Sequence, residues 1–87
     1  MNYEIVHYPE KSTFETIVDG YTAYLSYILD DNFIDIVSTY VPSPIEGKGI
    51  AGALVKTACE FAQKQKLKII PSCSYVGIWL QRHPEYQ

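Results

Sequence analysis

Up to Val41 the chain alternates apolar and polar positions with period two, the pattern of strands that bury one face. Tyr3-Glu4-Ile5-Val6-His7-Tyr8 reads as a first strand, ended by Pro9 and the Glu10-Lys11-Ser12 cluster. Thr13 to Val18 reads as a second, and Asp19-Gly20 is a hairpin turn signal. Tyr21 to Leu29 is the third strand, with Tyr21, Ala23, Leu25, Tyr27 and Leu29 on one face. Asp30-Asp31-Asn32 turns the chain again. Phe33 to Val41 is the fourth strand, where Ile34, Ile36, Ser38 and Tyr40 alternate against Phe33, Asp35, Val37, Thr39 and Val41. Connections this short make antiparallel neighbours.

After Val41 the period changes. Pro42 and Pro44 rule out regular sheet pairing. A helix is predicted from Lys48 or Gly49 to about Gln65, with Ile50, Leu54, Ala58, Phe61 and Ala62 facing the sheet. Lys56, Glu60, Gln63 and Lys64 take the wet side, and Gly52 and Ala53 allow close helix–sheet packing. Leu67 to Ile70 is a fifth strand, parallel to the fourth because a crossover helix joins them. Pro71 ends it. Ser72 or Ser74 is placed to cap a short helix around Tyr75 to Arg82 that buries Val76, Trp79 and Leu80, and Pro84 stops that helix. No repeat, linker or low-complexity tract interrupts the pattern. The fold class is α/β (α+β): one domain over residues 1–87, with a mainly antiparallel five-stranded sheet, one main crossover helix and a short C-terminal helix.

Composition bears on function more than on fold. The chain has 87 residues, 47% of them hydrophobic, enough for one core. A net charge of −3 argues against a nucleic-acid partner. Six of the seven Lys and Arg nevertheless lie from Lys48 onward, while most acids precede it. The cationic second half suits an anionic ligand, although an ordinary charged helix face has the same composition. Cys59 and Cys73, the only cysteines, form no disulfide framework and have no metal-ligand spacing. No apolar run approaches the ~20 residues needed to cross a bilayer, and the start Met1-Asn2-Tyr3-Glu4 is no signal peptide. A cytoplasmic protein with neither membrane nor metal is expected.

The stretch with the most chemical content is Val41-Pro42-Ser43-Pro44-Ile45-Glu46-Gly47-Lys48-Gly49-Ile50-Ala51, between the fourth strand and the long helix. The first turn of a helix has backbone N–H groups without intrahelical partners, and the helix dipole adds positive charge there. Gly47 and Gly49 carry no Cβ to hold a ligand away. Together these make a phosphate or pyrophosphate cradle. The same residues also fit a plain strand-to-helix connection that needs unusual φ and ψ. The stretch is no Walker A loop, because Gly49 rather than Ser or Thr follows Lys48. Gly47-x-Gly49-x-x-Gly52 follows antiparallel strands, so it opens no dinucleotide-binding βαβ unit.

Val41 to Leu54, followed by Ile70-Pro71-Ser72-Cys73 and Arg82-His83-Pro84-Glu85-Tyr86, resembles the small GNAT-like acyltransferases, short relatives of the GCN5-related N-acetyltransferases. The superfamily motif Q/R-x-x-G-x-G/A is matched at Gly49 and Ala51 and departs at Glu46. The resemblance covers nearly the whole chain. It implies acetyl-CoA as cofactor, with the pyrophosphate on the N–H groups of Gly47, Lys48, Gly49, Ile50 and Ala51 and with charge added by Lys48. It further implies pantetheine along Thr39, Tyr40 and Val41, and transfer of an acetyl group to an unidentified amine. The helices that larger members carry between their first two strands are absent, so it says less about the acceptor.

Cys73 follows the fifth strand near the crevice beside the helix start, where a thiolate could attack a thioester or a thiol could give up a proton. It also fits a half-buried residue of a proline-bounded turn. His83, before Pro84, is a proton carrier by type and a helix cap by position. Asp35 and Glu46 are isolated carboxylates, either of which could serve as general base. Two rival readings remain: a CoA-binding or sensing module without efficient catalysis, and a non-enzymatic α/β interaction domain. Binding of CoA separates the last from the others, and turnover separates the first two.

Overall fold

The computed structural model describes residues 2–87. Five strands form one sheet in the order of the chain: β1 (Val6–Tyr8), β2 (Thr13–Val18), β3 (Tyr21–Leu29), β4 (Phe33–Tyr40) and β5 (Lys68–Ile70). The first four pair antiparallel and β5 pairs parallel to β4. Helix α1 (Ile50–Gln65) makes the crossover, and α2 (Ser74–Arg82) follows β5. The result is the expected α+β architecture with a mostly antiparallel sheet.

Local chemistry sets most boundaries. Asp19 at φ 51° and Gly20 at φ 81° form the tight turn between β2 and β3, since both positions need positive φ. β1 is shorter than the alternation suggests. Tyr3 and Ile5 still pack on the core, but the Glu4 carbonyl accepts the Thr16 hydroxyl at 2.8 Å in place of a ladder bond. In α2 the N-cap position belongs to Cys73 rather than to Ser72 or Ser74, and no side chain caps the helix.

The main departure from simple alternation lies in β4. Ser26 pairs with Ser38, but the next residue, Tyr27, pairs with Ile36, so Val37 is an extra residue, a β-bulge. The bulge inverts the faces beyond it. Thr39 pairs with core residue Leu25 and joins the face of Ile34 and Ile36, whereas Tyr40 pairs with Tyr24 on the opposite face.

The core lies between the sheet and α1. Leu25, Ile34 and Ile36 meet Ile50, Leu54, Val55, Ala58 and Ala62, all nearly inaccessible. At the far end His7 stacks on Phe14 with ring centroids 4.1 Å apart, and its Nε2 lies 2.6 Å from the Tyr27 hydroxyl. Gly52 serves helix–helix rather than helix–sheet packing. A Cβ there would stand 3.5 Å from the Tyr75 hydroxyl and 3.6 Å from Trp79 Nε1, ordinary contact distances, so this position faces the aromatic side of α2.

Candidate functional site

The segment joining β4 to α1 is anchored at two points. Ile45, in the 3₁₀ turn Ser43–Ile45, is fully buried. Tyr3, from the opposite edge of the sheet, donates its hydroxyl hydrogen to the Lys48 carbonyl. Between these anchors the chain is open. Gly47 has φ 78°, and Gly49, the N-cap residue of α1, has φ 76°, a left-handed conformation that costs glycine little. The first intrahelical bond runs from Ala53 N–H to the Gly49 carbonyl at 3.1 Å. None of the six backbone N–H groups from Gly47 to Gly52 donates a hydrogen bond to any described residue. No acidic side chain occupies the first turn of α1. Consecutive free donors at the positive end of a 16-residue helix make an anion cradle.

Two adjoining clefts open beside the cradle. One, of ≈ 360 Å³, is bounded by Ile45, Gly47, Gly49 and Gly52 among others. The next, of ≈ 440 Å³, is bounded by Thr39, Tyr40 and Ser43 among others. Val41, Glu46, Ala51 and Tyr75 border both. The residues singled out as cofactor contacts thus come together on one groove, with one exception in side-chain placement. Lys48 Nζ lies 3.4 Å from Asp19 Oδ2, directed at the β2–β3 turn. An exposed pair of this kind is worth about 1 kcal/mol or less, so it does not lock the lysine away from an anion. Glu46 is exposed at the mouth of both clefts.

The bulge brings Thr39 to Cys73. The Cys73 thiol donates to Thr39 Oγ1 at 3.8 Å, and Cys73 N–H donates to the Ile36 carbonyl at 2.9 Å. Cys73 is half-buried at the N-cap of α2. Cys59 differs in kind. It is fully buried in α1, and burial, with Glu60 adding to it, pushes its thiol up to about 11. That thiol stays protonated and packed.

His83 stands at the other end of α2, nine residues long, and so about 14 Å from Cys73 along the axis. Its Nδ1–H donates to the Trp79 carbonyl at 2.8 Å, and its ring stacks on Trp79 at 3.9 Å. The structure therefore does not bring His83 and Cys73 together. Tyr75 is the residue that sequence reasoning passed over. Its hydroxyl sits by Gly52 at the border of both clefts. The signal was its place four residues before Trp79, which puts both aromatics on the face of α2 turned to α1.

Compared with known families, residues 13–87 match the model of a family described as GCN5-related N-acetyl-transferase. The match begins at the first residue of β2 and takes in the glycine turn, Cys73 and the tail.

Proposed function

Because the chain belongs to the GCN5-related N-acetyltransferase family, we propose that it is an acetyl-CoA-dependent N-acyltransferase acting on an amine. The observation that carries this reading is the run of six free N–H groups from Gly47 to Gly52. They supply enough donors for a diphosphate, and the space beside Gly47 and Gly49 is open. Acetyl-CoA supplies the activated acetyl thioester. The main chain of Thr39, Tyr40 and Val41 holds the pantetheine arm along the groove, and Lys48 can leave Asp19 to add charge.

The chain's own groups then cover the proton and acyl traffic. The acceptor amine forms the new C–N bond as the C–S bond breaks, and the amine proton leaves to solvent. In this reading the Tyr75 phenol, which borders the groove, protonates the departing sulfur. In the relay version the Cys73 thiolate first takes the acetyl group, and the amine then takes it from Cys73. His83 holds the end of α2 in this scheme. The free thiols of Cys59 and Cys73 suit a reducing cytoplasm.

The experiment is thiol labelling followed by acetyl-CoA incubation. A thiol reagent is expected to modify Cys73 before Cys59, and CoA is expected to slow that reaction. Faster labelling of Cys59, or no protection by saturating CoA, removes Cys73 from the site. A hydroxylamine-sensitive acetyl group on Cys73, with turnover lost in Cys73→Ala at unchanged CoA affinity, establishes the relay. Full turnover in that variant establishes direct attack.

A further inference from the structure

Lys48 is held twice. Its side chain meets Asp19, and its carbonyl accepts the Tyr3 hydroxyl hydrogen. The first contact is an exposed ion pair; the second acts on the backbone. Tyr3 precedes residues 13–87, so membership of the family assigns it no part in the site. Its side chain packs on the core from the segment before β1, and it bounds neither cleft.

The carbonyl contact matters because of what flanks Lys48. Gly47 and Gly49 stand on either side of it, with φ 78° and 76°. Glycine takes positive and negative φ about equally well. The Lys48–Gly49 peptide plane can therefore turn over at low backbone cost, carrying Gly49 φ from positive to negative. Nothing lies within 4 Å of where a Gly49 Cβ would stand, so packing on Gly49 does not hold the plane. Among the described residues, the Tyr3 hydroxyl is the one hydrogen-bond partner of that peptide unit.

In a trans peptide the C=O and the next N–H point in opposite directions. With the Lys48 carbonyl turned to Tyr3, the Gly49 N–H points away from Tyr3, and no described residue accepts it. Gly49 borders the cleft beside the cradle, whereas Lys48 does not. Turned over, the same plane would present a carbonyl oxygen to an anion in place of a donor.

We propose that Tyr3 is a positioning residue of the CoA site: its hydroxyl holds the Lys48–Gly49 peptide in the orientation that offers the Gly49 N–H to the diphosphate. The inference rests on the acyltransferase reading. Tyr3 acts through the Lys48 carbonyl and touches no ligand itself. Asp19 cannot replace it, because the flexible lysine side chain absorbs a turn of the backbone without breaking the ion pair.

The test is an acetyl-CoA titration of the parent and of Tyr3→Phe, which keeps the ring on the core. Affinity is expected to fall about threefold to tenfold, the worth of one hydrogen bond. Backbone-amide NMR of the ligand-free variant is expected to show the Gly49 resonance shifted or broadened, with His7 and Phe14 unmoved. Gly49→Ala, which disfavours positive φ, is expected to weaken binding as well. The double variant should lose less than the two single losses combined, since both act on one turn of one peptide plane. Equal affinity in the parent and Tyr3→Phe, a Gly49 resonance left unmoved by the loss of the hydroxyl, or fully additive losses overturns the proposal and leaves the acyltransferase reading standing. A parent protein that binds no acetyl-CoA overturns that reading, and the proposal with it.

Discussion

At the C-terminal end of α1 several polar groups are paired within the chain. Lys66 N–H, with φ 58°, closes the helix onto the Ala62 and Gln63 carbonyls. The Gln63 amide donates to the Glu85 carbonyl at 3.0 Å, and the Gln87 amide to the Leu80 carbonyl at 2.7 Å. A cavity of ≈ 530 Å³ lies there, bounded by Leu67, Ile69, Pro71, Leu80 and Tyr86 among others. At the N-terminal end the clefts are smaller, yet six donors are free. Size and chemistry part company along one helix. The larger space is a packing consequence of the tail folding over α1 and α2; the smaller is lined by donors that no described residue accepts from. Unspent hydrogen-bonding capacity at the positive end of a helix marks a site better than volume does.

The comparison predicts that substitutions at the two ends damage different properties. The largest effect is expected from Leu80→Ala, which removes a buried side chain of α2 at the tail cavity. It should cost about 2–5 kcal/mol in denaturant unfolding while the folded fraction binds acetyl-CoA as before. Weakened binding in the folded protein would join the two ends and break the distinction. Next comes Gly49→Asp, which puts a carboxylate into the cradle at a left-handed position that Asp tolerates better than most residues. Affinity for CoA should fall at least tenfold, about 1.4 kcal/mol; undiminished affinity in a folded variant would move the pyrophosphate elsewhere.

Glu46→Arg is expected to act the other way. The carboxylate at the mouth of the clefts opposes an anion, so its reversal should tighten CoA binding about threefold, more at low salt than at high. No gain at any ionic strength would show that the side chain stays in solvent. The smallest effect concerns the His7 cluster beneath the C-terminal half of α1. Burial holds the His7 imidazole below its ordinary value, with Glu10 pulling against that shift, so the folded protein favours the neutral ring. The contribution is complete above the unfolded value of ~6.5 and is lost as pH falls from there through the folded value. Thermal unfolding should show the decline below neutrality in the parent and a shallower one in His7→Phe. Equal slopes would mean that other groups set it.

How much of this was legible in the chain depends on the kind of signal. Asp19-Gly20 and Asp30-Asp31-Asn32 punctuate β3 so firmly that its observed ends, Tyr21 and Leu29, follow from them. The glycine turn was legible because Gly47 and Gly49 stand where a strand period becomes a helix period. The bulge at Val37 was not, since one extra residue leaves no mark in an alternation of valine, serine and threonine. That bulge decides which way Thr39 and Tyr40 point, and hence that Cys73 meets Thr39. Lys48 with Asp19, and Gly52 with Tyr75, are meetings between distant segments that only the packed molecule determines.

The most direct measurement follows the backbone amides of Gly47 to Gly52 by NMR during an acetyl-CoA titration. All are expected to move together and saturate at one affinity, with downfield shifts as the free N–H groups gain phosphate acceptors, while Gln63 and Gln87 at the tail stay in place. Saturable binding that leaves Gly47 to Gly52 unmoved, or that shifts the tail residues instead, would contradict the assignment of this helix end as the CoA site.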